Sequence, residues 1–472
     1  MKIKTVPRSW FDETGLRFDS NPYIGGAIET RVEINSCPYP KQRLDELTRG
    51  GYSGIVHAGR IKRHWVDDPE YGLPFLSGRD ILQFDYSNLR LIRKKSAIDN
   101  PKLKLSSGAT LITRAGTVGK MAYARPDMEG LACTEDVLRV VPDEDKIHSG
   151  YLYAYLNSKY GIPLILAGTY GAIIQHIEPP HICDLPVPRL GARVEQAIHE
   201  LVEKAANNLS EYQELINEAS SLVFTTLGLE NISAYDWRSN KKKDFGFVVQ
   251  SSNLEIMRGW NHSERLSSLK QNIRSVRHSE LKDVIDLDWL RWRVMFKRID
   301  ADKEHGIEVM TQKTLFQLFP EGRWVSKEYL LNHSPRFKVP DETILIAKQG
   351  TLGEQEVYCR SEFITGERTL ERAYSDHCMR VVAIPEKIDA GYLFAFLRSQ
   401  TGFRLLRGLS EGSKQQDLHW RMVPTLPIPR CGGDKEKEIG DKVRKAYRLK
   451  NEAIQLFTQA RNKVEETIEG AK

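Results

Sequence analysis

The sequence predicts an α+β protein with two tandem globular parts, each followed by a long helix, the two helices packing as an antiparallel coiled-coil spacer. Three observations predict this. A long stretch repeats, each copy passes through short β-branched runs, and each copy closes on a continuous helical stripe. Residues 139–158 (RVVPDEDKIHSGYLYAYLNS) and 380–399 (RVVAIPEKIDAGYLFAFLRS) are identical at 11 of 20 positions without a gap, a displacement of 241. The same displacement relates LPVPRLG (185–191) to LPIPRCG (426–432). Upstream, GTVG (116–119) pairs with GTLG (350–353), and YGLPFLSGRDI (71–81) with HGIEVMTQKTL (305–315), both displaced by 234. Solenoid units run to roughly 20–50 residues, so a period this long is a domain duplication.

Within each copy the elements follow one order. ATLITRAG (109–116) and ETILIAKQG (342–350) predict strands ending in glycine turns, and VLRVVP (137–142) and CMRVVA (378–383) predict further strands. GYLYAYLNS and GYLFAFLRS predict short amphipathic helices, and the LPVP and LPIP pieces, which forbid helix, an extended exit. A long helix comes next. In the first copy Val194, Ala197, Ile198, Leu201, Ala205, Leu209, Tyr212, Leu215, Ile216, Ala219 and Leu222 recur at helical spacing. In the second, Ile439, Val443, Ala446, Ala453, Phe457, Ala460, Val464 and Ile468 do so, and Gly440 interrupts the stretch near its start. Residues 193–222 alone would rise ~45 Å, and an apolar stripe of that length needs a partner. The other copy supplies one. The expected divisions are 1–188 and 231–429 for the globular parts, with 189–230 and 430–472 for the helices. The polar, basic stretch 232–246 is expected to serve as a connector.

With 472 residues, 40% hydrophobic and 28% charged, the chain has the composition of a soluble globular protein with room for two cores. A net charge of +6 permits nucleic-acid binding without requiring it. The opening MKIKTVPRSWFDETG lacks an apolar core and predicts no secretory signal. The nearly uncharged stretch 161–174 is too short to span a bilayer, and its repeat mate 402–415 is charged, so no membrane role is expected. Six cysteines show no CxxC spacing and do not align between copies, which predicts free structural thiols, no metal and a cytoplasmic location.

A globular part, a proline-bounded exit and a long helix, all duplicated, resembles the specificity subunits of Type I restriction-modification systems. The resemblance is carried by ITRAGTVGKMAYA (112–124), TEDVLRVVPDE (134–144), GYLYAYLNS (150–158) and DLPVP (184–188) with the helix after it, and by their second-copy counterparts from residue 346 onward. It covers most of the chain from about residue 54. The first 50 residues and 232–290 match weakly. It implies two target recognition domains, each reading one half of a split double-stranded DNA target. It also implies partners: two adenine methyltransferase subunits and, in the full complex, restriction-translocase subunits. It implies no catalysis, no cofactor and a role in host defence through DNA methylation.

DNA recognition needs cations for phosphates and planar hydrogen-bonders for base edges. GRIKRHW (59–65) offers Arg60, Lys62 and Arg63, and RWRVMFKR (291–298) offers Arg291, Arg293, Lys297 and Arg298. Arg114 and Lys348 precede the equivalent glycine turns, and Lys120 follows the first. The segments 168–178 and 409–419 align through Gly171/Gly412 and Gln175/Gln416, yet place His176 against Asp417 and Ile173 against Lys414, with Gln415 beside it. Unlike polar groups on a shared turn suit two readers of different half-sites; a drifting surface loop has the same signature. Glu135 and Asp376 align as acids after Thr134 and Ser375 and suit a structural turn.

Enzyme readings fall short. SNPY (20–23) lacks the second proline of an adenine-methyltransferase tetrad, and the acids of one loop in the first copy (Asp136, Asp143, Glu144, Asp145) are mostly replaced in the second. Two other readings remain open: a target-recognition subunit serving a fused restriction-methylation enzyme, and a protein-interaction scaffold that binds no DNA.

Overall fold

The computed structural model describes residues 3–13, 21–170, 175–239, 248, 256–291, 294–334 and 336–471. The chain divides into two units, Met1–Ser210 with Glu452–Lys472, and Glu211–Asn451.

In the first unit, Lys41–Arg43 pairs antiparallel with Pro186–Pro188, so the proline-rich exit lies on the strand that opens the copy. Prolines are tolerated there because, among the described residues, this ribbon has no further strand to receive their missing N–H. One sheet runs Ile55–Val56, Val137–Val140, Thr110–Thr113, Met121–Tyr123. A second runs Trp65–Val66, Arg90–Arg93, Gly72–Leu76, Ala132–Cys133, with the last pair parallel. Leu76, Ile81, Leu105, Leu111, Met128, Cys133 and Val137 pack as one buried cluster. The helix Ser149–Leu156 is buried along its whole length.

The second unit repeats this plan pair by pair. His278–Glu280 pairs with Pro427–Pro429, Thr343–Ala347 lies between Ser361–Ile364 and Cys378–Val381, and Gly306–Met310 lies between Arg323–Ser326 and a parallel Ala373–Tyr374. Side-chain anchors are duplicated too. The Tyr151 hydroxyl donates to the Pro188 carbonyl, and that of Tyr392 to the Pro429 carbonyl at 2.8 Å. The fully buried Arg139 donates to the carbonyls of Cys133 (3.2 Å) and Thr134 (3.3 Å), and Arg380 to those of Tyr374 (2.6 Å) and Cys378 (2.9 Å). These bonds satisfy terminal nitrogens of each buried guanidinium, which could not otherwise stay inside.

The long helices are Ala192–Thr225 and Gly433–Glu469. They pack together antiparallel. Lys204 pairs with Glu452 at 2.7 Å, and within the second unit Lys445 pairs with Glu211 at 2.6 Å and Lys442 with Glu218 at 3.0 Å. Ion pairs this exposed add little stability but discriminate register. The buried seam of the first helix is Ile198, Val202, Ala205, Leu209, Tyr212, Ile216, Ala219 and Val223. That four-three alternation is a coiled-coil heptad. Leu201, Leu215 and Leu222, expected in the stripe, are only partly buried, because a 3.5-residue repeat drifts off the 3.6-residue stripe. Short helices cross the long ones closely. A Cβ on Gly150 would stand 2.8 Å from the His199 Cα, and one on Gly391 would stand 2.7 Å from the Gly440 carbonyl oxygen. The second crossing explains the glycine inside the second helix.

The expected connector begins as structure. Ala234–Ser239 is a helix whose Trp237 is buried against the guanidiniums of Arg265 (4.4 Å) and Arg404 (5.2 Å), because an indole of that size gains more under cover than in water. Residues 240–247 lie outside the described residues. All six cysteines are unpaired. Among the described residues no helix is long and apolar enough to cross a membrane.

One buried feature separates the copies. On the second helix Lys450 donates to Glu362 Oε1 at 2.7 Å, and Tyr447 to Oε2 at 3.0 Å, all three side chains being buried. The first copy has Leu209, Ala122 and Ala206 at these places. Breaking a buried pair leaves a charge uncompensated, so Lys450→Leu alone should cost about 3–5 kcal/mol. Glu362→Ala combined with Lys450→Leu, the first copy's residues, should recover most of it. Urea-unfolding midpoints of the two variants check the order.

Candidate nucleic-acid interface

Three of the expected DNA-contacting residues, Arg63, Arg114 and Lys348, meet the equivalent acids Glu135 and Asp376 or the backbone beside them. In the first unit the Arg63 guanidinium donates to Glu135 Oε1 (2.9 Å) and Thr134 Oγ1 (3.1 Å), and lies over the Phe75 ring. The backbone N–H of Arg114 donates to the Asp136 carbonyl at 2.8 Å and its Nε to the Glu135 carbonyl at 3.4 Å. Burial raises the Glu135 carboxyl, but its own backbone N–H and Arg63 outweigh this and hold it below the ordinary glutamate value. In the second unit Asp376 accepts from the Val294 N–H (3.1 Å) and from Lys348 Nζ (2.9 Å). The acids are structural hubs. Each ties the basic segment, the glycine turn and the loop 134–136 or 375–377 into one surface.

Against each glycine turn lies a hairpin. In the second unit Gln349–Gly350, Gln416–Leu418 and Ser410–Glu411 form three strands with Gln416–Leu418 central. Gln349 pairs with Asp417, and Glu411 with Asp417. In the first unit Ala115 bridges to His176, and Tyr170 to His176. These are the same positions, displaced by 234 and 241. The side chains differ at all three.

Exposure and pairing sort the sequence-predicted residues into two groups. Arg60, Lys62, Arg291, Lys297, Arg298, Lys414, Gln175 and Gln415 are exposed. Arg60, Lys62, Arg291, Arg298 and Lys414 make no side-chain hydrogen bond or ion pair among the described residues. Arg114 is buried and paired with Glu178 at 3.2 Å, and Arg63 and Lys348 are held by their acids. Gln416 is turned inward, donating to the Ser413 carbonyl. Lys120 is half-buried and its N–H donates to Thr113 Oγ1 at 3.0 Å. The His176 ring stands 6.0 Å from the Tyr170 ring, with its buried Nδ1 making no hydrogen bond among the described residues. Arg293 and residues 171–174 lie outside the described residues.

Sequence reasoning missed several neighbours. Glu178 receives the Tyr170 hydroxyl at 3.2 Å and faces His57 Nδ1 at 3.9 Å, and Gln349 Nε2 donates to Asp417 Oδ2 at 2.7 Å. Applying both displacements together would have found the strand partners; the Glu178 contacts have no such signal. Among the described residues no three His, Cys, Asp or Glu side chains are grouped to hold a metal ion.

No protein-family model matches the chain, and no curated protein does. Solved structures align with more than nine-tenths of it. The Type-I restriction-modification system S subunit from M. genitalium aligns at TM-score 0.36 and 13% identity, covering 93% of this chain and 96% of that one. The HsdS subunit from Thermoanaerobacter tengcongensis aligns at TM-score 0.27 and 11% identity, covering 92% and 97%. A structure described for complex assembly and conformational transition of the type I R-M system aligns at TM-score 0.27 and 11% identity, covering 92% and 98%.

Burial and the neighbouring Arg114 charge lower the His57 pKa, with Glu178 opposing them. An unfolded histidine titrates near ~6.5. With the folded value below that, the stability from neutral His57 is fully present above pH ~6.5 and is lost as pH falls through the folded value. Denaturation midpoints between pH 7 and 5 should therefore fall less steeply in His57→Asn than in the wild type.

Proposed function

We propose that the chain is the DNA sequence-recognition subunit of a Type I restriction-modification complex. In this reading residues 1–188 and 231–429 are target recognition domains, each meeting one half of a bipartite double-stranded target, and 189–230 and 430–472 are the spacer helices. The chain itself performs no transfer. It places two adenine methyltransferase subunits, and restriction-translocase subunits where present, on the chosen site in the cytoplasm. One observation carries the reading: the junction of glycine turn and hairpin keeps its backbone pairing in both copies while its paired side chains change. A kept frame with replaced outward groups suits two readers of unlike sequences.

The exposed cations take the phosphates in this reading, and the hairpins take base edges. Arg60, Lys62, Arg291, Lys297, Arg298 and Lys414 supply charge, with Arg293 beside them in sequence. Arg63, Arg114 and Lys348 act through the surface they hold in place. Lys120, Gln175, His176, Gln415 and Gln416 belong to the turns and hairpins that approach the bases.

Two experiments test the proposal. Binding to random duplexes should weaken steeply with salt, and replacing Arg60 and Lys62 by alanine should reduce the log–log slope by about one for each phosphate no longer neutralised. No binding at low salt would favour the scaffold reading instead. Deleting one heptad from each long helix keeps the seam in register and removes ~10 Å of rise, the length of ~3 base pairs. Methylated adenines mapped in cells carrying that variant with its partners should show a shorter gap between half-sites; an unchanged gap would refute the ruler.

A further inference from the structure

We infer that the outer face of the three-stranded junction reads base edges, and that in the second copy the Asp417–Gln349 pair selects a base presenting an exocyclic amino group in the major groove, adenine N6 or cytosine N4. This rests on the DNA-recognition reading above and names the chemistry of its contact.

The junction has two distinct faces. Residues directly opposite one another across paired strands project to the same side, and neighbours along a strand project to opposite sides. Ser410, Gln416 and Leu418 are buried, whereas Gln349, Glu411 and Asp417 are half-exposed. In the first copy Thr169 and Ile177 are buried, whereas Ala115 and His176 are half-exposed and Tyr170 is exposed. The outer set is therefore Ala115, Tyr170 and His176 in one copy and Gln349, Glu411 and Asp417 in the other. No identity is shared between the sets, although Arg139/Arg380, Tyr151/Tyr392 and the strand registers around them are kept.

The second set is organised around acceptors. Gln349 Nε2 donates to Asp417 Oδ2 at 2.7 Å, while Glu411 faces His419 Nε2 at 3.6 Å. Asp417 Oδ1 has no hydrogen-bond donor among the described residues. The backbone of Gln349 is itself held by Gln312, whose Nε2 donates to its carbonyl at 2.5 Å and whose Oε1 accepts from its N–H at 3.3 Å. A carboxylate is repelled by phosphates, so beside a duplex one that no protein cation neutralises is favourable where it accepts from a base. The donors in the major groove are cytosine N4 and adenine N6. The first copy has no carboxylate at these three positions, so its half-site carries no matching requirement.

The test is adenine-methylation mapping in host cells carrying the wild-type chain, Asp417→Asn, or Gln349→Ala with Glu411→Tyr and Asp417→His. Asp417→Asn should lower discrimination at one base pair of one half-site on the order of ten-fold, leaving the gap and the other half-site unchanged. The triple variant should change the preferred base there. Because the positions face outward, purified Asp417→Asn should melt with the wild type. If it melts earlier, Gln349→Ala, which keeps the carboxylate but frees it, should relax the same position. An unchanged motif, or an equal loss at both half-sites, overturns this inference alone. A wild-type chain yielding no bipartite methylation overturns the recognition reading and this inference with it.

Discussion

At the point where each globular part becomes a helix, a bidentate arginine–glutamate pair sets the geometry of all that follows. Arg189 donates to Glu195 at 3.1 and 2.8 Å, and Arg430 to Glu436 at 2.8 and 2.8 Å. Both glutamates are buried in the first helical turn, where the helix dipole favours a negative charge. Each arginine also reaches the opening strand, at Gln42 in one copy and at Ser279 (3.1 Å) in the other. The hydrogen bonds to the glutamates are the main cause that raises both guanidiniums above their ordinary value. Gly191 and Gly432, at φ 96° and 99°, permit the turn that brings the glutamate round. One pair thereby binds opening strand, closing strand and helix, and aims the helix at its seam.

Downstream of that clamp, conservation between the copies follows depth. Residues that satisfy buried carbonyls recur, because removing one would strand an acceptor without water. The seam tolerates a deeper change. Lys450 replaces the leucine of the first copy only because Glu362 and Tyr447 receive it, and a cation there without them would be expelled. The junction of turn and hairpin sits at the other extreme. Its inner side chains are confined by packing, whereas its outer ones are held only by polar contacts that differ between the copies, Gln349 with Asp417 in one and Tyr170 with Glu178 in the other.

Much of this was legible in the sequence, because a repeat is a comparison a single chain carries within itself. The two displacements located several strands, the short helices and the turn shared by 168–178 and 409–419, and apolar periodicity located the long helices, because all of these depend on side-chain pattern. The opening strands escaped notice. KQR (41–43) and HSE (278–280) share no residue, and their equivalence resides in backbone hydrogen bonds to the proline-rich exits. Pairing escaped it too. Arg60 and Arg63 look alike in a basic run, yet the first makes no side-chain hydrogen bond among the described residues and the second is held by Glu135, a residue 72 positions away. Tertiary partners of that kind decide whether a cation is available, and composition does not encode them.

The exchange of helix halves between units bears on how the chain matures. The first unit includes Glu452–Lys472, and Phe457 packs on Tyr153 at 5.5 Å. A ribosome releases those residues long after residue 210; at ~5–20 residues per second, the delay is on the order of ten seconds or more. Throughout that interval the first long helix has the short helix Ser149–Leu156 crossing it beside His199 and Val202, but not its partner helix. The first part to be synthesised is thus among the last to be finished, and nascent chains arrested short of the final helix present a half-covered apolar stripe to chaperones and to one another.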